Sequence, residues 1–219
     1  MKFSAILGFC LLAAQSTSAH YIFNTLIAGS KTSTQAVRQP LNNTPFHDIT
    51  SSDATCNHDP GNASETVQVN AGDTIGFNVD VAIYHKGPAA IYLGQSPTDA
   101  FNWDGSGQHW FKIAEWGANF DPFSFTDLGL SQLTTTIPNN VPSGQYLVRV
   151  EQAGLHLGTG VVEWFVSCAQ IEVMNGGSGN PSKVAIPGYL SNPDPELTLN
   201  IYYPVPTSYT VPGPAVYRG

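Results

Sequence analysis

Basic residues are scarce in this chain of 219 residues, which contains 8 lysines and arginines against 16 aspartates and glutamates. Binding to nucleic acid requires clustered positive charge, so this balance argues against a nucleic-acid partner and equally against an anionic membrane surface. Charged residues of either sign make up only 11% of the chain. A lightly charged, acidic surface suits a neutral partner such as a polysaccharide.

Long apolar runs are equally rare, and the one run of this kind lies at the N-terminus. Residues 1–19 have the three parts of a secretory signal peptide: basic Lys2, an apolar stretch over 3–14, and small residues up to Ala19. We predict cleavage after Ala19 and a secreted mature chain of residues 20–219, a length that suits a single domain. No later stretch of the sequence is long enough to cross a membrane.

Cysteine is also scarce, with 3 in the chain. Cys10 belongs to the predicted signal peptide, which leaves Cys56 and Cys168 as an even pair in an oxidising compartment. We therefore predict a disulfide between them. With both thiols oxidised, a blue-copper site is excluded, because that site needs a free thiolate.

Two Asn-X-Ser/Thr sequons fit secretion, at Asn42 and Asn62. The first is weakened by Pro45, which follows it directly. Both asparagines are predicted glycosylation sites.

Short strand-like runs recur between glycine, proline, asparagine and aspartate, and no segment keeps a helical period over three turns. This pattern predicts an all-β fold, an antiparallel β-sandwich of the immunoglobulin or fibronectin-III type with long loops. The Pro-rich tail over 204–219 is expected to lie extended on the surface. The predicted strands cover 21–27, 66–69, 74–81, 89–93, 108–113, 133–137, 145–151, 161–173 and 197–203.

Side chains alternate between the two faces of the longest predicted strand, 161–173. Glu163 and Phe165 therefore share one face, and Trp164, Val166 and Cys168 share the other. If the first face looks toward a metal, the disulfide lies on the opposite side and has a structural role.

His20 becomes the first residue of the mature chain if cleavage follows Ala19. Its free α-amine and its imidazole can then close a chelate on one metal ion, and a second imidazole would complete a three-nitrogen site. Such a donor set favours Cu(II) over other divalent first-row metals. The alternative is that cleavage merely exposes a histidine.

Two other histidines have neighbours that suit a site. His85 is followed by Lys86, Gly87 and Pro88, which indicate a sharply turned loop, although a lone loop histidine is also common on plain surfaces. His156 ends a predicted strand before a glycine-rich turn, and it can equally be a partly buried structural imidazole. The remaining histidines are interpreted as structural or surface residues: His47, His58 and His109.

A set of short motifs in fixed order resembles the fungal lytic polysaccharide monooxygenases of auxiliary activity family nine, once classed as glycoside hydrolases. The resemblance covers the mature chain nearly end to end. Its strongest blocks are PSGQYLVRVE at 142–151, LH at 155–156 and SCAQIEV at 167–173. Supporting blocks are His20, CN at 56–57, AGD at 71–73, HKGP at 85–88, YL at 92–93, WFKI at 110–113, IPGY at 186–189, NIY at 200–202 and YTVPGP at 209–214.

The resemblance implies that His20 and His85 hold one copper ion per chain, with His156 close by. The family also carries a glutamine and an axial tyrosine in a Gln-aromatic-Tyr stretch. Here that stretch contains Glu163 in place of the glutamine and Phe165 in place of the tyrosine. Phe165 is then an axial residue that cannot bind the metal, and Glu163 can orient an oxygen species as a charged group.

The implied function is copper-dependent oxidative cleavage at C1, C4 or both in cellulose or related β-glucans and hemicelluloses, by a monomer that uses O₂ or H₂O₂ and an external electron donor. Tyr209 is the implied sugar-binding residue by family position, and Tyr21 is a weaker candidate. One alternative is a secreted copper-binding protein of the same fold without oxygenase activity. Another is a hydrolase with paired carboxylates, for which Glu151 and Glu163 are the attractive pair.

Overall fold

The computed structural model describes residues 20–156 and 160–219, so the predicted signal peptide at 1–19 lies outside the described residues. The described chain consists of strands of 2 to 14 residues joined by loops, with a single helical turn, α1 (Asp53–Cys56). Across these residues no helix is long and apolar enough to cross a membrane. The strands are β1 (Thr25–Ala28), β2 (Lys31–Ser33), β3 (Val37–Arg38), β4 (Val67–Asn70), β5 (Thr74–Asn78), β6 (Ala89–Gln95), β7 (Gln108–Trp116), β8 (Ala118–Phe120), β9 (Phe123–Phe125), β10 (Gln132–Thr136), β11 (Gly144–His156), β12 (Val161–Met174) and β13 (Val184–Ala185).

Two sheets form the body of the protein. The smaller sheet has the strand order β10-β5-β1-β2, and the larger has the order β13-β7-β6-β11-β12-β3, with β4 also paired to β12. Within the described residues every strand pair is antiparallel except β4 with β12. The predicted all-β antiparallel sandwich of the immunoglobulin type is therefore confirmed.

The core has two parts, one on each face of the larger sheet. Between the sheets, Leu26 and Phe77 of the smaller sheet pack with Val148 and Phe165 of the larger one. On the outer face, a second cluster packs side chains of the larger sheet against α1 and the C-terminal loops. Because both faces are covered, the central strands β11 and β12 are buried over most of their length.

The strand β12 alternates as its sequence predicts. Phe165 belongs to the core between the sheets, and Trp164, Val166 and Cys168 belong to the outer cluster. Cys168 is bonded to Cys56 at the end of α1, with a Cα–Cα distance of 5.2 Å. The disulfide is confirmed, and it lies on the outer face of the sheet.

The predicted strand over 197–203 is wrong, because side chains within and just before this segment form local turns instead. Asp194 accepts from the backbone N–H of Glu196, and Asn200 accepts from those of Tyr202 and Tyr203. Such local bonds compete with a strand ladder for the same backbone groups. The tail over 204–219 contains no strand, as predicted.

Candidate metal centre

The site lies where β11 and β12 end, beside the loop that joins β5 to β6. The backbone N–H groups of Ala153 and Leu155 in β11 donate to the carbonyl oxygens of Pro88 and Lys86, at 2.9 and 2.8 Å. Gly87 permits this approach, because a Cβ at that position would meet the Ala153 carbonyl oxygen at 1.7 Å. The loop that carries His85 is thereby docked on β11.

Three predicted site residues meet at this point. Nε2 of His156 lies 2.6 Å from Nδ1 of His85 and 3.1 Å from Oε2 of Glu163. Nε2 of His85 lies 3.8 Å from the same carboxylate oxygen. These half-buried side chains can offer ligand atoms that all lie within 4.8 Å of one another. The register explains the meeting, since His156 pairs with Val161 and therefore shares a face with Glu163 two residues later.

His20 and Phe165 complete the group. The ring centroid of His20 lies 6.3 Å from that of His85, with 29° between the ring planes. Phe165 stacks on His85 at 5.2 Å and lies 6.0 Å from His20. Phe165 thus presents a hydrocarbon face to both imidazoles.

Residues that sequence reasoning missed lie beneath these rings. Gln152 is fully buried and accepts a hydrogen bond from the hydroxyl of Tyr21. A signal for it exists in the sequence, because Gln152 continues the inward-facing alternation of Val148 and Val150 with a polar side chain. Tyr21, the weaker sugar-binding candidate, is itself buried, which leaves its ring no exposed face for a sugar.

A buried carboxyl lies close to this amide. Burial raises the pKa of Asp127 to about 7, against smaller lowering effects of its own backbone N–H and of Gln152. Burial also raises the pKa of Tyr21, and the charges of Asp127, Tyr84 and Glu163 raise it further. Burial therefore favours the neutral, protonated forms of the Asp127 carboxyl and the Tyr21 hydroxyl.

Glu151 and Glu163 lie on opposite faces of the larger sheet. Glu151 pairs with Val166 in the ladder and accepts hydrogen bonds from Arg149 and Tyr189. Glu163 faces the histidines instead. The two carboxylates cannot flank one glycosidic bond, so the hydrolase alternative has no geometric support.

The other predicted residues lie outside the cluster. Tyr209 is half-buried and packs edge-on against Phe125 at 5.1 Å, and burial raises its pKa. Asn42 and Asn62 are exposed in loops. The other histidines make isolated contacts: His47 with the Val162 carbonyl, His58 with Asp53 and His109 with the Trp103 ring.

Fold and site together define a class: a β-sandwich protein with a histidine-rich group, suited to a transition metal, at the end of its longest strands. The chain belongs to Auxiliary Activity family 9 (formerly GH61), whose sequence model matches residues 20–209. This confirms the family resemblance. The chain is a lytic polysaccharide monooxygenase, an enzyme of the copper oxidoreductase class. The members of this family are secreted fungal proteins.

Individual relatives agree with this assignment. The chain is 47% identical to AA9 family lytic polysaccharide monooxygenase H of Malbranchea cinnamomea, over 95% of this chain and 96% of that protein. It is 43% identical to monooxygenase C of Emericella nidulans, over 94% and 95% of the two chains. Among solved structures, a cellulose-active polysaccharide monooxygenase from M. thermophila superposes with a TM-score of 0.79 at 27% identity, over 91% of this chain and 100% of that one.

Proposed function

We propose that this enzyme uses one copper ion, held by His20 and His85, to cleave glycosidic bonds oxidatively at C1, C4 or both. The observation that carries the proposal is the 6.3 Å separation of the two ring centroids. Imidazoles that bind one ion from opposite sides place their centroids about 6 Å apart, given a metal–nitrogen distance of about 2 Å. The two side chains therefore fit a shared ion, and nitrogen donors suit copper.

The free α-amine of His20 is the proposed third nitrogen. It exists only if the chain is cut after Ala19, so copper binding rests on the secreted form with residues 20–219. A copper ion held there would supply one-electron redox chemistry and the activation of O₂ or H₂O₂, with electrons from an external donor. The protein contributes geometry and the polar groups around the reacting oxygen.

His156 and Glu163 are the proposed polar groups. Their 3.1 Å contact allows a proton to be held between Nε2 of His156 and Oε2 of Glu163. Either group can then orient an oxygen species through a hydrogen bond. Phe165 contributes no ligand and no phenolic proton, and its ring keeps water from the side of the imidazoles that it covers.

The proposed substrate is cellulose or a related β-glucan or hemicellulose. Exposed tyrosines lie near His85. Tyr84 precedes it in the same loop, and the ring centroid of Tyr202 lies 5.3 Å from the ammonium of Lys86. Tyr203, next to Tyr202, is 83% exposed. Tyrosine rings in such positions can stack on sugar rings. Tyr209 stays a prediction as a sugar-binding residue by family position, and it is half-buried against Phe125.

The test is product analysis with the mature, copper-loaded protein acting as a monomer. Cellulose and several hemicelluloses are incubated with ascorbate, with and without a chelator, and products are identified by mass spectrometry. Oxidised oligosaccharides that need both reductant and copper are expected. His85→Ala should abolish them, whereas His58→Ala, at an exposed histidine beside Asp53, should not.

Other products would point to other functions. One-to-one copper binding without oxidised products from any polysaccharide would favour a copper-binding protein without oxygenase activity. Non-oxidised products that persist in chelator would indicate hydrolysis and contradict the proposal.

A further inference from the structure

A buried glutamine links the two chain segments that carry His20 and His85. The hydroxyl of Tyr21 donates to Oε1 of Gln152 at 2.6 Å, and Nε2 of Gln152 donates to the carbonyl oxygen of His85 at 3.1 Å. Tyr21 directly follows His20 in the chain. One amide therefore connects the neighbour of one imidazole with the backbone of the other.

An aromatic ring fills the space that this amide spans. Gln152 and Phe165 lie directly opposite each other in the ladder of β11 and β12, so they share a face. Phe165 stacks on Tyr21 at 4.3 Å and on His85 at 5.2 Å. The ring sets a minimum separation of the two segments, and the hydrogen bonds of Gln152 prevent them from moving apart.

This position requires an acceptor for the Tyr21 hydroxyl and a donor for the His85 carbonyl, and the side-chain amide of glutamine provides both. Gln152 is 0% exposed, so no water can replace a lost partner without rearrangement. An apolar residue of similar length would leave the Tyr21 hydroxyl and the His85 carbonyl with one bond fewer in a buried place, which is unfavourable. A glutamate could accept from Tyr21 but, when ionised, could not donate to His85.

We infer that Gln152 is a positioning residue, whose amide holds the His20–Tyr21 segment and the His85 loop at the separation that the metal site requires. The inference rests on the proposed function for the statement that His20 and His85 share one ion. The connection between the two segments, in contrast, can be measured without any metal.

The test compares Gln152→Met and Tyr21→Phe with a matched control, Gln170→Met. Gln170 is an equally buried glutamine in β12, bonded to the Glu65 carbonyl and to Arg38. In the metal-free proteins, hydrogen exchange of the Ala153 and Leu155 amides reports how tightly the His85 loop is docked on β11. In the copper-loaded proteins, Cu(II) affinity and the electron paramagnetic resonance spectrum report the geometry of the ligands.

Gln152→Met should speed exchange of both amides and weaken Cu(II) binding about tenfold, the order expected for one buried hydrogen bond. Its copper spectrum should change as well. Tyr21→Phe, which removes only a hydroxyl, should act in the same direction, and the double variant should be less impaired than the sum of the two, because they break one network. Gln170→Met should lower the melting temperature and leave exchange, affinity and spectrum unchanged.

The inference is overturned if Gln152→Met and Tyr21→Phe both behave like Gln170→Met, with normal amide exchange and a normal copper spectrum. Should Gln152→Met fail to fold, Tyr21→Phe decides by the same readouts. If the parent protein binds no copper while Gln152→Met loosens the loop, the proposed function fails and the linking role of Gln152 stands.

Discussion

Glu163 is a single residue whose charge bears directly on the proposed chemistry, since its carboxylate lies 3.1 Å from His156 and 3.8 Å from His85. Glu163→Gln removes the charge and should leave copper bound while changing the oxidation rate or its pH profile. Glu163→Ala also removes the oxygen-positioning group and should slow oxidation more, by about tenfold. Initial rates on one polysaccharide across pH would measure both effects.

Glu172→Gln is the control for Glu163, because Glu172 lies on the same strand and accepts from Gln68 at the surface. It should keep the parent rate and pH profile. Parent behaviour of both Glu163 variants would mean that this carboxylate does not act on the oxygen species.

Asp127 should make stability depend on pH in an unusual direction. Burial raises its pKa from 3.8 to about 7 in the folded protein, so the folded state holds a proton that the unfolded state loses. This contribution is complete below pH 4 and is lost as pH rises toward 7, to the order of 4 kcal/mol. The side chain introduced by Asp127→Asn cannot ionise. As pH rises from 4 to 7, the free energy of unfolding of this variant should therefore increase relative to that of the parent.

Denaturant titrations at several pH values between 4 and 7 would measure the difference. Asp99→Asn serves as control, because the hydrogen bond from the Asn102 side chain lowers the pKa of that carboxyl from its ordinary value, which already lies below the window. Parallel pH curves for the parent and Asp127→Asn would contradict the assigned burial effect.

At the level of residues, the sequence predicts those positions that follow from strand alternation or from family motifs. Glu163 and Phe165 are placed on one face of a strand because alternation needs only neighbouring positions. Gln152 is different, because its partners Tyr21 and His85 lie 131 and 67 positions away. Its role depends on how distant segments pack, which no local pattern contains.

For the strands, too, local sequence patterns predict part of the structure and contacts between distant segments decide the rest. The two long strands are predicted by their apolar runs, and β11 ends at His156, five residues beyond the apolar run over 145–151. These last residues pair with β12 on one side, and on the other side, where β6 ends, the docked loop accepts their backbone hydrogen bonds. The segment over 197–203 has the apolar content of a strand, but side-chain bonds from Asp194 and Asn200 form turns instead.

The disulfide joins α1 to β12 on the face of the sheet opposite Phe165, so its loss should destabilise the fold without changing the metal site. It closes a separation of 112 residues, and its removal should cost about 4 kcal/mol in the free energy of unfolding. Reduced and oxidised protein would be compared by thermal melting and by the Cu(II) electron paramagnetic resonance spectrum of the still-folded form. A lower melting temperature with an unchanged spectrum is expected, and two reactive thiols in the native protein would contradict the bond.

For the whole molecule, the proposed copper site draws its ligands from the start of the described chain and from a loop between two sheets. The sandwich brings His20 beside His85 although 65 positions separate them, and the rings meet over Phe165. Such a site is sensitive to the chain end in a way that a site built within one loop is not. The proposed site therefore depends on the predicted cleavage after Ala19, which would free the α-amine of His20.

The mature protein should accordingly begin at His20, where the family match also begins. Intact-mass measurement of the secreted protein should give this first residue. Any other first residue would contradict the proposed three-nitrogen site. A form with one alanine added before His20 keeps both imidazoles but loses the free amine at that position, so its Cu(II) affinity should be markedly weaker than that of the mature form. Affinity of the mature form should also fall at acid pH, because the amine and both imidazoles must lose their protons to bind the metal. Equal affinity of the two forms would show that the amine is not a ligand, even if the secreted chain begins at His20.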